Sequence, residues 1–239
     1  MFRKDKKMKA NNRLSWFALS LLVVAILSSG DALAQRRGGG GNTAGTKAPI
    51  EFSATYGSMW GGNIELIGGT LRTATGASFG LALDIPVHPA MAIELSYTHQ
   101  EGGLDYDTRG SKTRLTDMSV DYWQIGGIRG LLDGKVRPFV TTSLGMTVYS
   151  PANGTVNIDG EVLNMSSTTK FSFVLGGGFK SYFGKSEKIG LRASIKVLPT
   201  LYNTSGGVWF GTGGASVGVS GNAIWQWEAA VGLTVKLGG

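Results

Sequence analysis

The sequence predicts an all-β protein, an eight-stranded antiparallel up-and-down transmembrane β-barrel, and three observations predict it. Large apolar residues alternate with small, polar or charged ones through eight segments. The polar positions of those segments are mostly Gly, Ser, Thr and Ala. The connections between them are alternately short and long. Alternation with period two makes a strand with one apolar and one polar face, and the face that points inward separates a soluble sandwich from a membrane barrel. Only 16% of the residues are charged, against roughly a quarter in soluble domains. So thin a charge supply makes a poor water-facing coat but a good filling for a narrow lumen. The apolar faces are therefore assigned to lipid.

The N-terminus agrees with export. Arg3, Lys4, Lys6, Lys7, Lys9 and Arg13 form a basic region, Leu14 to Leu27 is apolar, and Ala32-Leu33-Ala34 fits a small-x-small cleavage site, the three parts of a signal peptide over residues 1–34. The apolar run is shorter than the roughly 20 residues a membrane-spanning helix needs. Residues 35–49, with Arg36, Arg37 and Gly38 to Gly41, read as a flexible basic linker. Such Arg-Gly tracts can also bind RNA, but in an exported chain no nucleic-acid partner is expected. The leader carries six basic residues and two acids, so the formal +7 of the whole chain falls to about +3 after cleavage. There is no cysteine, which excludes disulfides, thiolate metal sites and a thiol nucleophile.

The barrel is placed at 50–239. The first strand, about 50 to 58, turns Ile50, Phe52, Ala54 and Tyr56 outward and Glu51, Ser53 and Thr55 inward. The second, about 73 to 85, turns Phe79, Leu81, Leu83 and Ile85 outward and Asp84 inward. In the third, about 90 to 98, Met91, Ile93, Leu95 and Tyr97 face lipid, while Glu94, Ser96 and Thr98 face in. The fourth, about 117 to 131, is noisier. Met118, Val120, Tyr122 and Ile128 are taken as outward, with Ser119, Asp121 and Arg129 inward, but Trp123, Ile125 and Gln124 break the pattern.

The fifth strand, about 136 to 149, opposes Val136, Val140, Leu144, Met146 and Val148 to Arg137, Thr141, Ser143, Gly145 and Thr147. The sixth and seventh lie within 169 to 183 and 189 to 201. There Phe171, Phe173, Phe179, Leu191 and Ile195 face out, and Lys170, Lys180, Arg192 and Lys196 face in. The eighth, about 223 to 237, presents Trp225, Trp227, Val231 and Leu233 to lipid and Gln226, Glu228, Thr234 and Lys236 to the lumen.

Pro86 to Pro89, Asp133 to Lys135 and Gly184 to Lys188 are the tight turns, and the segments 59–72, 99–116, 150–168 and 203–222 are the long loops. An outer-membrane barrel keeps short turns in the periplasm and long loops outside. Since hydrocarbon tolerates no unpaired edge, the first and last strands should pair, with Glu51 beside Lys236 and Lys196 near Glu228.

The runs Val136-Arg137-Pro138-Phe139-Val140, Phe173-Val174-Leu175-Gly176-Gly177-Gly178-Phe179-Lys180 and Ile189-Gly190-Leu191-Arg192 resemble the small, porin-like outer-membrane β-barrel family that includes OmpA-, OmpX- and OmpW-like proteins. The resemblance covers about residues 50 to 237. It implies a Gram-negative outer-membrane location, contact with outer-membrane lipid and lipopolysaccharide, and insertion by the barrel assembly machinery. The family usually ends its last strand in Phe or Trp, where this chain has Lys236-Leu237-Gly238-Gly239.

By alternation the lumen should hold Glu51, Asp84, Glu94, Asp121 and Glu228 against Arg129, Arg137, Lys170, Lys180, Arg192, Lys196 and Lys236. The bland outcome is a salt-bridged plug, since eight strands enclose only enough room for side chains. The alternative is a narrow, mildly anion-preferring channel for small solutes. A lipid A or phospholipid modifying enzyme is a third reading, but His88 and His99 are the only histidines, and no Ser stands out as a nucleophile beside them. No catalysis and no cofactor or metal are expected, and the spacing of Glu101, Asp105 and Asp107 fits no calcium loop. Tyr56, Trp60, Tyr97, Trp225 and Trp227 are placed in an interfacial aromatic belt. The run from Gly206 to Gly221, with Val208, Trp209 and Phe210, is taken as a flexible hairpin extension, and the long loops could carry a surface ligand.

Overall fold

The computed structural model describes residues 48–237, apart from 67–68, 109–110, 133, 159–160, 165 and 212–213. The signal peptide at 1–34, nearly all of the 35–49 linker, Arg109, Asp133 and the last two glycines lie outside the described residues. So do the side chains of 203–222.

Twelve strands are described: β1 (Ile50–Gly61), β2 (Asn63–Leu66), β3 (Gly69–Thr73), β4 (Gly76–His88), β5 (Met91–Thr108), β6 (Ser111–Gly130), β7 (Val136–Pro151), β8 (Thr155–Ile158), β9 (Glu161–Asn164), β10 (Thr168–Phe183), β11 (Ile189–Gly211) and β12 (Gly214–Leu237). Eight of them form a closed antiparallel ring in the order β1, β4, β5, β6, β7, β10, β11, β12, with β12 returning to β1. The closing seam runs unbroken from Ile50 opposite Leu237 to Gly61 opposite Gln226. Every ring strand thus has two hydrogen-bonded neighbours, as a hydrocarbon environment requires.

Three ring hairpins close at one end through short connections: Pro89 and Ala90, residues 131–135, and residues 184–188. At the other end the segments expected to be long loops are largely strand-paired. β2 and β3 form a hairpin that joins the edge of β5, β5 and β6 stay paired out to Thr108 and Ser111, and β8 pairs with β9. β11 and β12 run on together from Ser205 opposite Ser220 to Gly211 opposite Gly214, past an irregularity at Tyr202. Backbone groups left unpaired in a 14- to 20-residue segment would need other partners, and continuing the ladder supplies them. Gly61 and Gly62 leave β1 with φ of 94° and 87°, the left-handed region that glycine enters without a steric penalty.

Inside and outside follow the predicted alternation in seven ring strands. In β6 they are reversed. Val120 and Tyr122 are fully buried in the lumen, while Trp123 and Ile125 are 55% and 51% exposed on the outer wall. The same parity puts Met118, Gln124 and Ile128 inside and Ser119, Asp121 and Arg129 outside, so a one-residue error in phase transposed the whole strand. The cause is that β6 is apolar on both faces: its inner face contributes to an apolar cluster in the lumen, and its outer face carries Trp123 and Ile125.

Candidate functional site: the barrel lumen

The lumen is filled with side chains. Nearest the short turns lies an ion network drawn from six strands. Lys180 Nζ bonds Glu51 and stands 2.6 Å from Asp84 Oδ2. The Arg192 guanidinium bonds Glu94 and lies 3.3 Å from the same Asp84 oxygen. Thr141 donates to the second Glu94 oxygen at 2.9 Å, and the Tyr182 hydroxyl donates to Glu51 at 2.6 Å. Phe139 floors the network, its ring centroid 4.9 Å from the Arg192 guanidinium carbon. Lys196 Nζ faces Glu228 at 3.2 Å. An isolated charge at such a depth would cost several kcal/mol, and pairing is what makes it tolerable.

Uncharged polar side chains pair with one another as well. Tyr122 donates to Gln226, Gln226 Nε2 donates to Gln100 at 2.8 Å, and Gln124 Nε2 donates to Ser172 at 2.7 Å. Thr147 and Thr200 share a bond of 3.1 Å. Interleaved with these polar groups, Met59, Leu104, Met118, Val120, Val174 and Leu198 pack as one buried apolar cluster with Leu71, Leu115 and Tyr149 against it; Met59 is the register partner of Glu228, Val120 of Gln100 and Leu198 of Gln226. Alternation by itself does not show this apolar cluster, because the phase it suggests for β6 turns Met118 and Val120 to lipid.

The structure brings together Glu51, Asp84, Glu94, Lys180, Arg192, Lys196 and Glu228. Glu51 and Lys236 are register partners across the seam, but Lys236 directs its amine to Glu187 at 3.5 Å and over the Tyr182 ring at 3.9 Å. Arg137 also leaves the network, pairing with Glu187 at 2.7 Å at the short-turn mouth. Glu187, a turn residue with φ of 45°, was not anticipated as an ion-pair partner. Lys170 keeps the inward parity near the hairpin end, opposite Thr147. Asp121 and Arg129 are not in the lumen at all, because β6 is transposed. Seven predicted bases against five acids thus reduce, in the ion network, to three bases against four acids.

His99 and Ser96 lie on opposite sides of the wall, since Ser96 keeps the inward parity of Glu94 and Thr98 while His99 faces out. His99 Nδ1 instead stands 2.7 Å from Asp121 Oδ1. The predicted aromatic residues all have outward positions. Trp60 and Trp227 are register partners, Tyr56 is paired with Phe79, Trp225 lies opposite Pro199, and Tyr97 contacts Trp123 with ring centroids 4.5 Å apart. Trp123 belongs to the same set and was missed with the phase of its strand.

No family model and no curated protein matches the sequence. Among solved structures, the outer membrane protein OprG from Pseudomonas aeruginosa aligns with a TM-score of 0.56 and 12% identity, over 81% of this chain and 99% of that one. This chain has the fold of the small outer-membrane β-barrels. Neisserial surface protein A aligns at a TM-score of 0.48 and 13% identity, over 80% of this chain and 98% of its own. At such identities the likeness is one of fold.

Proposed function

We propose that this protein is an integral outer-membrane barrel with a structural or surface-presenting role and no catalytic activity. The observation that carries the reading is the filled lumen. Ion pairs, side-chain hydrogen bonds and packed apolar groups together occupy it, and Arg192, Tyr122, Met59, Leu198, Gln100, Gln226, Glu94 and Glu228 are all essentially fully buried. An outer wall bearing Phe52, Phe79, Leu95, Phe171, Leu191, Trp227 and Leu233 in exposed positions suits lipid rather than water, with outer-membrane lipid and lipopolysaccharide as the surrounding partners and the barrel assembly machinery as the route of insertion. The short-turn end is then periplasmic, and the paired hairpins project outside, where a surface ligand would meet them.

Three measurements test this. Refolded protein in planar bilayers should give little or no steady single-channel current, whereas discrete conductance steps would favour a small-solute channel. On intact cells, external protease should cut the hairpin segments, and the barrel should migrate differently on gels with and without boiling. Protection of every hairpin, or a migration unchanged by heat, would overturn the membrane reading.

A further inference from the structure

The short-turn end of the barrel gathers positive charge that the lumen network does not use. The segments 86–91, 129–137 and 183–189, which hold the three short connections and their strand ends, together with Lys236 supply six bases, Arg129, Lys135, Arg137, Lys185, Lys188 and Lys236. Against them stand two acids, Asp133 and Glu187. Glu187 is already engaged. Its Oε2 accepts from Arg137 at 2.7 Å and lies 3.5 Å from the Lys236 amine. Lys135, Lys185 and Lys188 are exposed, and their amines have no ion-pair or hydrogen-bond partner among the described residues.

The backbone joins these lysines into one rim. Tyr182 N donates to the Lys135 carbonyl at 3.3 Å and Lys236 N to the Lys188 carbonyl at 2.8 Å, while the Arg137–Glu187 pair ties the β7 end of the rim to the turn that carries Lys185 and Lys188. Apolar side chains share the same rim. Leu131 and Leu132 lie just past the end of β6, and they, Val136, Phe183 and Ile189 are each about half exposed or more.

Exposed leucines beside unpaired lysines suit the edge of a bilayer. The apolar groups meet acyl chains, and the lysine stems run along them to set their amines among the headgroups. A polysaccharide or a soluble anion would answer the charge but leave Leu131 and Leu132 in water. The surplus of bases favours a headgroup of net negative charge over a zwitterionic one, whose ammonium opposes the attraction of its phosphate.

We propose that Lys135, Lys185 and Lys188, with Leu131 and Leu132 of the β6–β7 turn, form a binding site for an anionic phospholipid headgroup in the leaflet that meets the short turns. The site rests on the reading of this barrel as inserted in a membrane.

The test uses the full chain folded into nanodiscs of equal phosphatidylglycerol and phosphatidylethanolamine, with the lipids retained on the released barrel counted by native mass spectrometry. The wild type should retain phosphatidylglycerol over phosphatidylethanolamine several-fold. The triple variant Lys135→Gln, Lys185→Gln, Lys188→Gln should bring the ratio close to one, and the corresponding triple Lys→Arg variant should keep it. A second measurement needs no variant: releasing the wild type in about 1 M salt, where charges are screened beyond roughly 3 Å, should also remove the preference. Equal retention by an inserted wild-type barrel, a preference that survives the Gln variant or the salt, or its loss in the Arg variant would overturn the site while leaving the membrane reading intact. A chain that fails to insert would overturn both. Capture of the wild type, and not of the Gln variant, by purified peptidoglycan sacculi, with no lipid preference, would assign the rim to the cell wall and overturn the lipid site.

Discussion

Arg192 is the largest fully buried side chain in the barrel, and it ties two acids from different strands to one guanidinium. Its five donors in a rigid fork suit that task in a way a lysine amine does not. Replacing it with Met would leave Asp84 and Glu94 buried without their principal partner, a change that destabilises by about 3–5 kcal/mol at buried pairs. Denaturant unfolding from lipid vesicles should show Arg192→Met lowering the midpoint sharply, and the triple variant that adds Asp84→Asn and Glu94→Gln should recover most of the loss. An equal loss in both would mean that Arg192 acts by filling space. At this scale Glu51, Asp84, Glu94, Lys180, Arg192, Lys196 and Glu228 were legible as inward residues, because each sits at a clean alternating position. Asp121 and Arg129 were misplaced because their own strand gave no clean phase.

Strands this tightly curved place particular demands on single positions. Gly232 faces the lumen on β12, where an added Cβ would lie 1.9 Å from the Ala54 carbonyl oxygen of β1. Backbone cannot yield that distance without breaking the seam pairing beside it. Gly127 on β6 is the contrast, with nothing within 4 Å of an added Cβ. Gly232→Val should therefore abolish the heat-modifiable folded band, and Gly127→Val should leave it unchanged. The extent of the strands was only partly legible. Turn-forming residues marked the short connections well, but β5, β6, β11 and β12 run far beyond their apolar alternation, since ladder hydrogen bonds continue wherever two chains stay side by side, whatever the side chains are.

Closure is a property of the whole molecule and can be tested covalently. Ser53 and Thr234 face each other in the lumen across the seam, their hydroxyls 3.0 Å apart, and residues directly opposite in an antiparallel pair have Cα separations within disulfide range. In a chain without native cysteine, Ser53→Cys with Thr234→Cys should form a single disulfide between the two ends of the barrel. A non-reducing gel should show it as a shift that dithiothreitol reverses, and absence of the shift in folded protein would argue against the closed seam.

From residue order alone came the period-two alternation, the eight crossings, the outward Phe171, Leu191 and Trp227, and the register neighbours Glu51 with Lys236 and Lys196 with Glu228. All of these depend on strand geometry and on counting from a turn. What folding in three dimensions decided was the phase of β6, the apolar cluster around Met59 and Val120, and the choice of ionic partners across the lumen. Lys180 meets Asp84, 96 residues away, because the stagger of the closed ring brings their side chains to one height. Asp121 meets His99 on the outer wall because the two are direct register partners in the β5–β6 hairpin. When both faces of a strand are apolar, its pattern no longer tells inside from outside, and only its neighbours in the ring can.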